Sequence, residues 1–383
     1  MKRDIILTLT LIILGLQSIY PNNNIRISLL TCSSGQESYE SWGHSAIRII
    51  DDDNSCDITY NFGLFNFNAP NFYLKFIKGK LKYQLGIQNT NDFINSYISE
   101  DRQVVEQKLN LSAESEKRII ERLEKLYKPE NRFYYYNFVG KNCTTELRDL
   151  IFSNVNTDFI NKLTSKSARI IISEYLTGQP WTKFGINLIM GSKVDRGINT
   201  YNSMFLPDYL SIELGKINYN GKSLVLNEEL FNLKKTSYKK QPFLLDPTFI
   251  FIVLAFVVLF NTSSKLQVMI FILMGIIGLL VMSISVFSHH LELKNNFNLL
   301  WCNPLYLISA ILLITKSHIK VQIYLSILLL SLIIITVIVW IAELQSFENG
   351  FLPIALILII YNLRIVKTGL NFGYSSSRVL VSR

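Results

Sequence analysis

The sequence predicts an α+β extracytoplasmic domain followed by an all-α membrane domain of about five transmembrane helices, and three observations carry that prediction. Apolar residues are concentrated rather than spread: before about Lys240 short alternating segments mix with amphipathic ones, whereas from Phe243 onward long apolar runs recur between short polar breaks. The first residues place Lys2 and Arg3 ahead of an apolar run from Ile5 to Leu16, the layout of a secretory signal. The chain of 383 residues is 49% hydrophobic and only 17% charged, too apolar for an ordinary water-soluble protein of its size. The same figures exclude a disordered or collagen-like chain.

Residues 1–20 read as a signal peptide or an uncleaved N-terminal anchor, and either one exports residues 21–233. Within that domain Arg26 to Thr31 and Ala46 to Ile50 have the apolar density of buried strands. Asp51 to Ser55 is a turn cluster and Ile58 to Phe62 resumes as a strand, so His44 opens a hairpin. Gly43, just before it, is small enough to let a partner approach the ring. Leu111 to Tyr127 reads as a helix started by Ser112, with Glu114 and Glu116 in its first turn and Ile119, Ile120, Leu123 and Leu126 on one face. Tyr134 to Phe138 reads as a strand and Gly140-Lys141 as a turn.

Residues 234–242 form a basic linker suited to the outer leaflet surface. The membrane domain, 243–370, contains apolar runs from Phe243 to Phe260, Val268 to Phe287, Leu299 to Thr315, Val321 to Leu344 and Phe351 to Leu363. A span needs about 20 residues, so the last run must recruit residues beyond Arg364. Residues 371–383 are then a cytoplasmic tail. Lys265, Lys316, Lys320 and the basic residues from Arg364 onward fall on the cytosolic side, whereas the opposite breaks carry Glu292 with Lys294, and Glu343 with Glu348. The net charge of +9 therefore needs no nucleic-acid partner. No Walker loop, dinucleotide fingerprint or zinc-ligand spacing is present, so neither a cofactor nor a metal is expected.

Chemistry concentrates at Asn142-Cys143-Thr144-Thr145-Glu146-Leu147, where helical spacing begins and Asn142 is a strong N-cap. Cys143 then sits in the first turn, where the helix dipole favours a thiolate. His44 is the sole histidine before the membrane domain, since His289, His290 and His318 all follow Phe243. A nucleophilic Cys143 would take His44 as its base. The competing reading is a buried cysteine and a packed histidine. Asn142 is either the helix cap or, beside the Cys143 N–H, an oxyanion donor. Cys32 and Cys56 are candidates for a disulfide, and Cys302 reads as packing at a membrane boundary.

A histidine ahead of the cysteine resembles the circularly permuted papain-like group, which includes the NlpC/P60 and lecithin:retinol acyltransferase-like enzymes. In that group a polar residue on the strand after the histidine orients its ring. Asn61 is preferred for this role, with Tyr60 and Asp57 as rivals because the register is open. Read together, SLLTCSSGQESYESWGHSAIRI (Ser28 to Ile49), TYNFGLFNFNAPNFYLKFIKGKLKYQL (Thr59 to Leu85), YYYNFVGKNCTTELRD (Tyr134 to Asp149), PWTKFGINLIMG (Pro180 to Gly191) and FLPDYL (Phe205 to Leu210) are similar to a bacterial envelope family that includes the Bacteroides-type lipoprotein N-acyltransferase Lnb. The resemblance implies a multi-pass protein of the inner (cytoplasmic) membrane with its catalytic domain in the periplasm. It also implies transfer of an acyl chain from a membrane phospholipid, through a Cys143 thioester, to the α-amino group of the N-terminal diacylglyceryl-cysteine of an apolipoprotein.

Arg148 and Asp195 are further candidates for substrate contact, as are His289 and His290 in an outward break rich in asparagine. Phe62, Phe65, Phe67, Phe72, Tyr73 and Phe76 interleave with Lys75, Lys78, Lys80 and Lys82. That pattern suits rings among acyl chains and lysines at phosphates, or else alternating core strands. Two other functions fit the residues: a membrane-anchored Cys/His hydrolase (peptidase or amidase) acting on cell-envelope peptides, and a non-catalytic lipoprotein-binding membrane protein.

Overall fold

The computed structural model describes residues 25–233 and 242–381, without the side chains of residue 38 and residues 370–381. The expected signal segment and all of the linker but Pro242 lie outside that range. Strand β1 (Ile25–Cys32) is buried on both faces and lies inside the sheet, with Ile27 and Leu29 in one core and Leu30 and Cys32 in the other. The remaining strands are β2 (His44–Asp51), β3 (Cys56–Leu64), β4 (Lys82–Asn89), β5 (Val104–Leu109), β6 (Phe133–Tyr135) and β7 (Val225–Phe231). All neighbours are antiparallel, in the order β7-β5-β1-β2-β3-β4-β6.

The segment from Phe62 to Lys82 divides into the end of β3, a loop, the short helix α1 (Phe72–Ile77) and the start of β4, so it is not a run of core strands. Helix α2 (Thr90–Ser99) covers one sheet face through Phe93 and Ile94. Helix α3 (Ala113–Tyr127) starts at Ser112, whose hydroxyl accepts the Ser115 N–H at 3.3 Å. Helix α4 (Cys143–Asn154) lies beside it. Ile119 and Leu123 of α3 pack with Leu147, Leu150 and Ile151 of α4 onto the opposite sheet face. Each such side chain contributes roughly 1.5–3 kcal/mol on burial, which pins the start of α4 against the sheet. The expected strand from Tyr134 to Phe138 is shorter: after Tyr135 the chain turns, and Asn137 pairs with Lys141 as an isolated bridge. Cys32 pairs with His44 and Cys56 with Asp51, so the length of β2, roughly 23 Å at about 3.3 Å per residue, separates the two thiols. They are free cysteines rather than the disulfide considered above.

Among the described residues, four stretches are long and apolar enough to cross a membrane: Ser264–Phe287, Leu291–Thr315, Ile319–Ile341 and Phe351–Gly369. The shorter helix Pro247–Phe260 completes a bundle of five apolar segments. The last run does recruit residues beyond Arg364, and the short segment is the first. The first run is the short one, because Phe243–Leu245 forms a separate turn and Asp246 caps a helix of 14 residues, about 21 Å at about 1.5 Å per residue. The last run is long, because the helix continues through Arg364 and on to Val381, taking in residues 371–381 of the expected tail. Arg364 donates to the carbonyls of Asn261 at 2.7 Å and Val258 at 2.8 Å, so its charge caps the end of the short helix. The third run is broken near Pro304 into Asn298–Trp301 and Leu305–Thr315.

A layer built from residues 168–206 joins the domains and shares a core with Leu293 and Ile284. Polar bonds run through the same plane. Gly191 N–H donates to the Glu292 carbonyl at 2.8 Å, Asn187 donates to Glu348 at 2.6 Å, and Asn298 donates to the Asn187 carbonyl at 3.1 Å. The sheet domain thus stands on the bundle end that carries the acidic breaks, remote in sequence from the Lys265 and Lys316 breaks.

Candidate active site

Helix α4 begins at Cys143 because Asn142 closes a capping box. Asn142 Oδ1 accepts the N–H groups of Thr144 and Thr145, each at 2.9 Å, and Thr145 Oγ1 accepts the Asn142 N–H at 2.8 Å. Both amide hydrogens of Asn142 are also taken, by the carbonyls of Phe138 at 2.7 Å and Phe205 at 2.9 Å. Asn142 therefore fills the capping role and has no donor left for an oxyanion. Losing the cap costs about 1 kcal/mol and stranding buried carbonyls costs about 1–3 kcal/mol more. Asn142→Ala is accordingly expected to destabilise the protein by about 2–4 kcal/mol, read as a lower denaturant midpoint of the full-length protein in detergent.

His44 opens β2 and reaches across to β3, where its Nε2 lies 2.8 Å from Asn61 Oδ1. Asn61 Nδ2 donates to Gln88 Oε1 at 2.9 Å, and the Gly63 N–H also donates to Asn61 Oδ1 at 2.8 Å. Oδ1 is thus an acceptor, so Nε2 carries a proton and Nδ1 is left for the Cys143 thiol, whose charge and that of the ring favour each other. The two rivals are occupied elsewhere. Asp57 forks onto Arg48 at 2.6 and 2.9 Å, and Tyr60 packs in the core beside Tyr127.

The sulfur faces Thr144 Oγ1 at 3.8 Å, while Thr144 Oγ1 lies 3.1 Å from Ser45 Oγ. Burial alone would push the thiol up. The His44 charge, helped by the neighbouring Ser45 and Thr144, outweighs it and brings Cys143 down to about 7. Burial likewise works against a charged His44, yet the neighbouring Cys143 and the bond to Asn61 raise it above its ordinary value. This is an arrangement that holds a thiolate beside an imidazolium. Cys32, at the end of β1, is the opposite case: burial raises its thiol far above the usual range.

Two glycines deserve different explanations. Gly43 has φ +72°, and a β-carbon there would meet the Cys32 carbonyl oxygen at 2.5 Å, so its demand is on the backbone rather than on room at the ring. Gly63 is the residue that lies against the imidazole. A β-carbon there would overlap His44 Cε1 and come within 3.1 Å of Nε2 and 3.2 Å of Asn61 Oδ1. Sequence reasoning missed this role and that of Gln88; the available signal for Gly63 was a glycine inside a strand, two residues after the polar candidate.

Residues 16–174, which include His44, Asn61, Gly63 and Cys143, match the Lnb N-terminal periplasmic domain, and residues 239–369 match the Lnb transmembrane domain. The chain belongs to the Lnb family. Neither the curated proteins nor the solved structures contain a match to it. It is accordingly a multi-pass membrane protein with a periplasmic α+β domain.

In this Lnb-family chain the remaining candidates stand apart from the thiol or are already partnered. Arg148 is buried, bonded to Asp149 at 2.7 Å and to the Tyr201 carbonyl, and stacked 4.2 Å over the Tyr201 ring. Asp195 forms a buried ion pair with Arg169 at 2.8 Å and accepts the Ser346 N–H at 3.1 Å, tying the domains together. Both are thus engaged by internal ion pairs and hydrogen bonds. His289 is exposed, with its backbone N–H on the Lys78 carbonyl at 3.1 Å. His290 is buried in the joint instead: Nε2 donates to the Phe76 carbonyl at 2.9 Å, and Nδ1 lies 3.3 Å from Asn137 Nδ2 and 3.5 Å from Glu292. Asn137 in turn starts the turn that leads to Asn142, so the membrane domain braces the loop carrying the thiol. Among the described residues no cluster of histidine, cysteine, aspartate or glutamate could hold a metal ion.

Proposed function

We propose that this protein is a lipoprotein N-acyltransferase of the inner membrane, using Cys143 as nucleophile, His44 as acid and base, and Asn61 to orient the ring. The observation that carries the reading is the Cys143–His44–Asn61 arrangement in a periplasmic domain seated directly on a transmembrane bundle. In the first half, the Cys143 thiolate attacks the ester carbonyl of a phospholipid. As the tetrahedral adduct collapses, the ester C–O bond breaks and His44 protonates the departing lysophospholipid oxygen, leaving an acyl thioester. In the second half, the α-amino group of an apolipoprotein N-terminal cysteine attacks the thioester, His44 takes the amine proton, and the C–S bond breaks to release an amide and regenerate the thiolate. With the Thr144 and Thr145 N–H groups spent on Asn142, the Cys143 N–H is the first-turn donor that suits the oxyanion. A lipid donor and a lipid-anchored acceptor both stay in the bilayer, which agrees with a thiol held over membrane helices.

Expression in bacteria lacking their own N-acylation enzyme tests this directly. Mass spectrometry of lipoprotein N-termini is expected to show one added acyl chain with the wild-type protein. Unmodified N-termini, with free fatty acid released instead, would replace transfer by hydrolysis.

A further inference from the structure

After Leu64 the chain leaves the sheet and, through residue 77, carries an apolar surface that no described residue covers. Tyr73 is 77% exposed, Phe67 52% and Leu74 50%, and helix α1 has no buried residue. Its position is set by the membrane domain. Ser288 Oγ donates to the Ile77 carbonyl at 2.6 Å, and His290 Nε2 donates to the Phe76 carbonyl at 2.9 Å. Ser288 is the residue that follows the span Ser264–Phe287, whose final Val286 and Phe287 are 61% and 67% exposed, as lipid-facing residues are. The uncovered face of α1 is therefore continuous with the lipid-facing surface of a span and lies at leaflet level. Lys75 and Lys80 are exposed at the same level, where anionic phosphates lie.

A wall of rings leads inward from this face. Phe76 stacks on Tyr136 with centroids 6.0 Å apart, and Tyr136 stacks on Tyr83 at 4.5 Å. Cys143 and Tyr136 both pack against the core that contains Tyr83 and Tyr134.

We propose that α1 and the loop before it form a lip that inserts among the acyl chains of the periplasmic leaflet and leads one phospholipid chain along Phe76, Tyr136 and Tyr83 to Cys143. Insertion follows from the position of α1 alone; delivery rests on the thioester reading above. An aqueous setting would leave Tyr73, Leu74 and Phe67 facing water beside a bilayer, whereas insertion buries them and keeps the lysines at the headgroups.

The test uses full-length Cys143→Ala protein, which cannot consume the lipid, in phosphatidylethanolamine and phosphatidylglycerol vesicles containing a phospholipid with a diazirine near one acyl-chain end. After irradiation, mass spectrometry is expected to find adducts on the peptides carrying Tyr73 to Phe76 and Tyr134 to Tyr136. Yields should fall at least about 10-fold when Tyr73→Asp and Leu74→Asp are added, because a carboxylate is costly among acyl chains. Labelling confined to the transmembrane helices would overturn the lip. Loss of the α1 label on adding excess diacylated lipopeptide would overturn it as well, by assigning the face to the acceptor. Labelling of α1 together with no acyl thioester in the wild-type protein would leave the lip standing and remove the proposed transfer.

Discussion

Replacing Cys143 with alanine is expected to abolish acyl transfer, and His44→Ala to lower it by about 10²–10⁴-fold. The two effects have different origins. Without the sulfur there is no covalent intermediate, so the residual rate is that of a direct attack with no activated nucleophile. Without the imidazole the thiol remains but loses both the charge that favours its ionisation and the proton donor for the leaving oxygen. A pH profile separates this from general damage. In the wild type, alkylation of Cys143 by iodoacetamide should rise with pH through an inflection at about 7, since the reactive form is the thiolate. In His44→Ala the inflection should move upward, because burial then acts against the thiolate without its main opponent. Transfer itself should have a second, falling limb as His44, held above its ordinary value, loses its proton. An unmoved Cys143 inflection in His44→Ala would separate the pair and return both residues to structural roles.

What the sequence could express were features governed by short-range rules. Asn142 ahead of Cys143 and Ser112 ahead of its helix are capping signals, and the start of each helix follows from a side chain two or three residues from the N–H it satisfies. Apolar runs set the membrane segments for the same local reason. Features that depend on what another element brings were invisible. Arg148 and Asp195 looked available because their partners, Tyr201 and Arg169, lie 53 and 26 residues away in the chain. His290 looked like a mouth residue, but the Phe76 and Asn137 positions that enclose it come from more than 150 residues upstream. The choice of Asn61 over Asp57 depended on Arg48, which claims Asp57 across the hairpin. Gly63 depended on where a ring from β2 would lie over β3.

Gly63 therefore supplies the sharper second test. Gly63→Ala is expected to reduce acyl transfer by about 10²-fold, close to the lower limit for losing the base, because the ring and a β-carbon cannot share one position. The added methyl meets Cε1 from the strand side, so the ring must swing away from Asn61, or β3 must retreat from β2. Overpacking of this kind costs roughly 1–3 kcal/mol of stability, which lowers the denaturant midpoint without unfolding the protein at ambient temperature. A purely structural defect and a displaced base make different predictions in a double-mutant cycle. If the methyl acts through His44, then Gly63→Ala added to His44→Ala should cost almost nothing further in transfer rate, because a small side chain at position 44 leaves the methyl unopposed. The Cys143 alkylation inflection should also rise in Gly63→Ala alone, as the imidazole that favours the thiolate moves off. If the two losses multiply and the inflection stays at about 7, the glycine serves only the strand. The same ring orientation must serve both halves of the transfer, protonating an alkoxide first and deprotonating an amine later. A displaced ring should therefore slow thioester formation and thioester consumption together, whereas damage to the lip near α1 should slow formation from vesicle lipid and leave consumption of a preformed thioester intact.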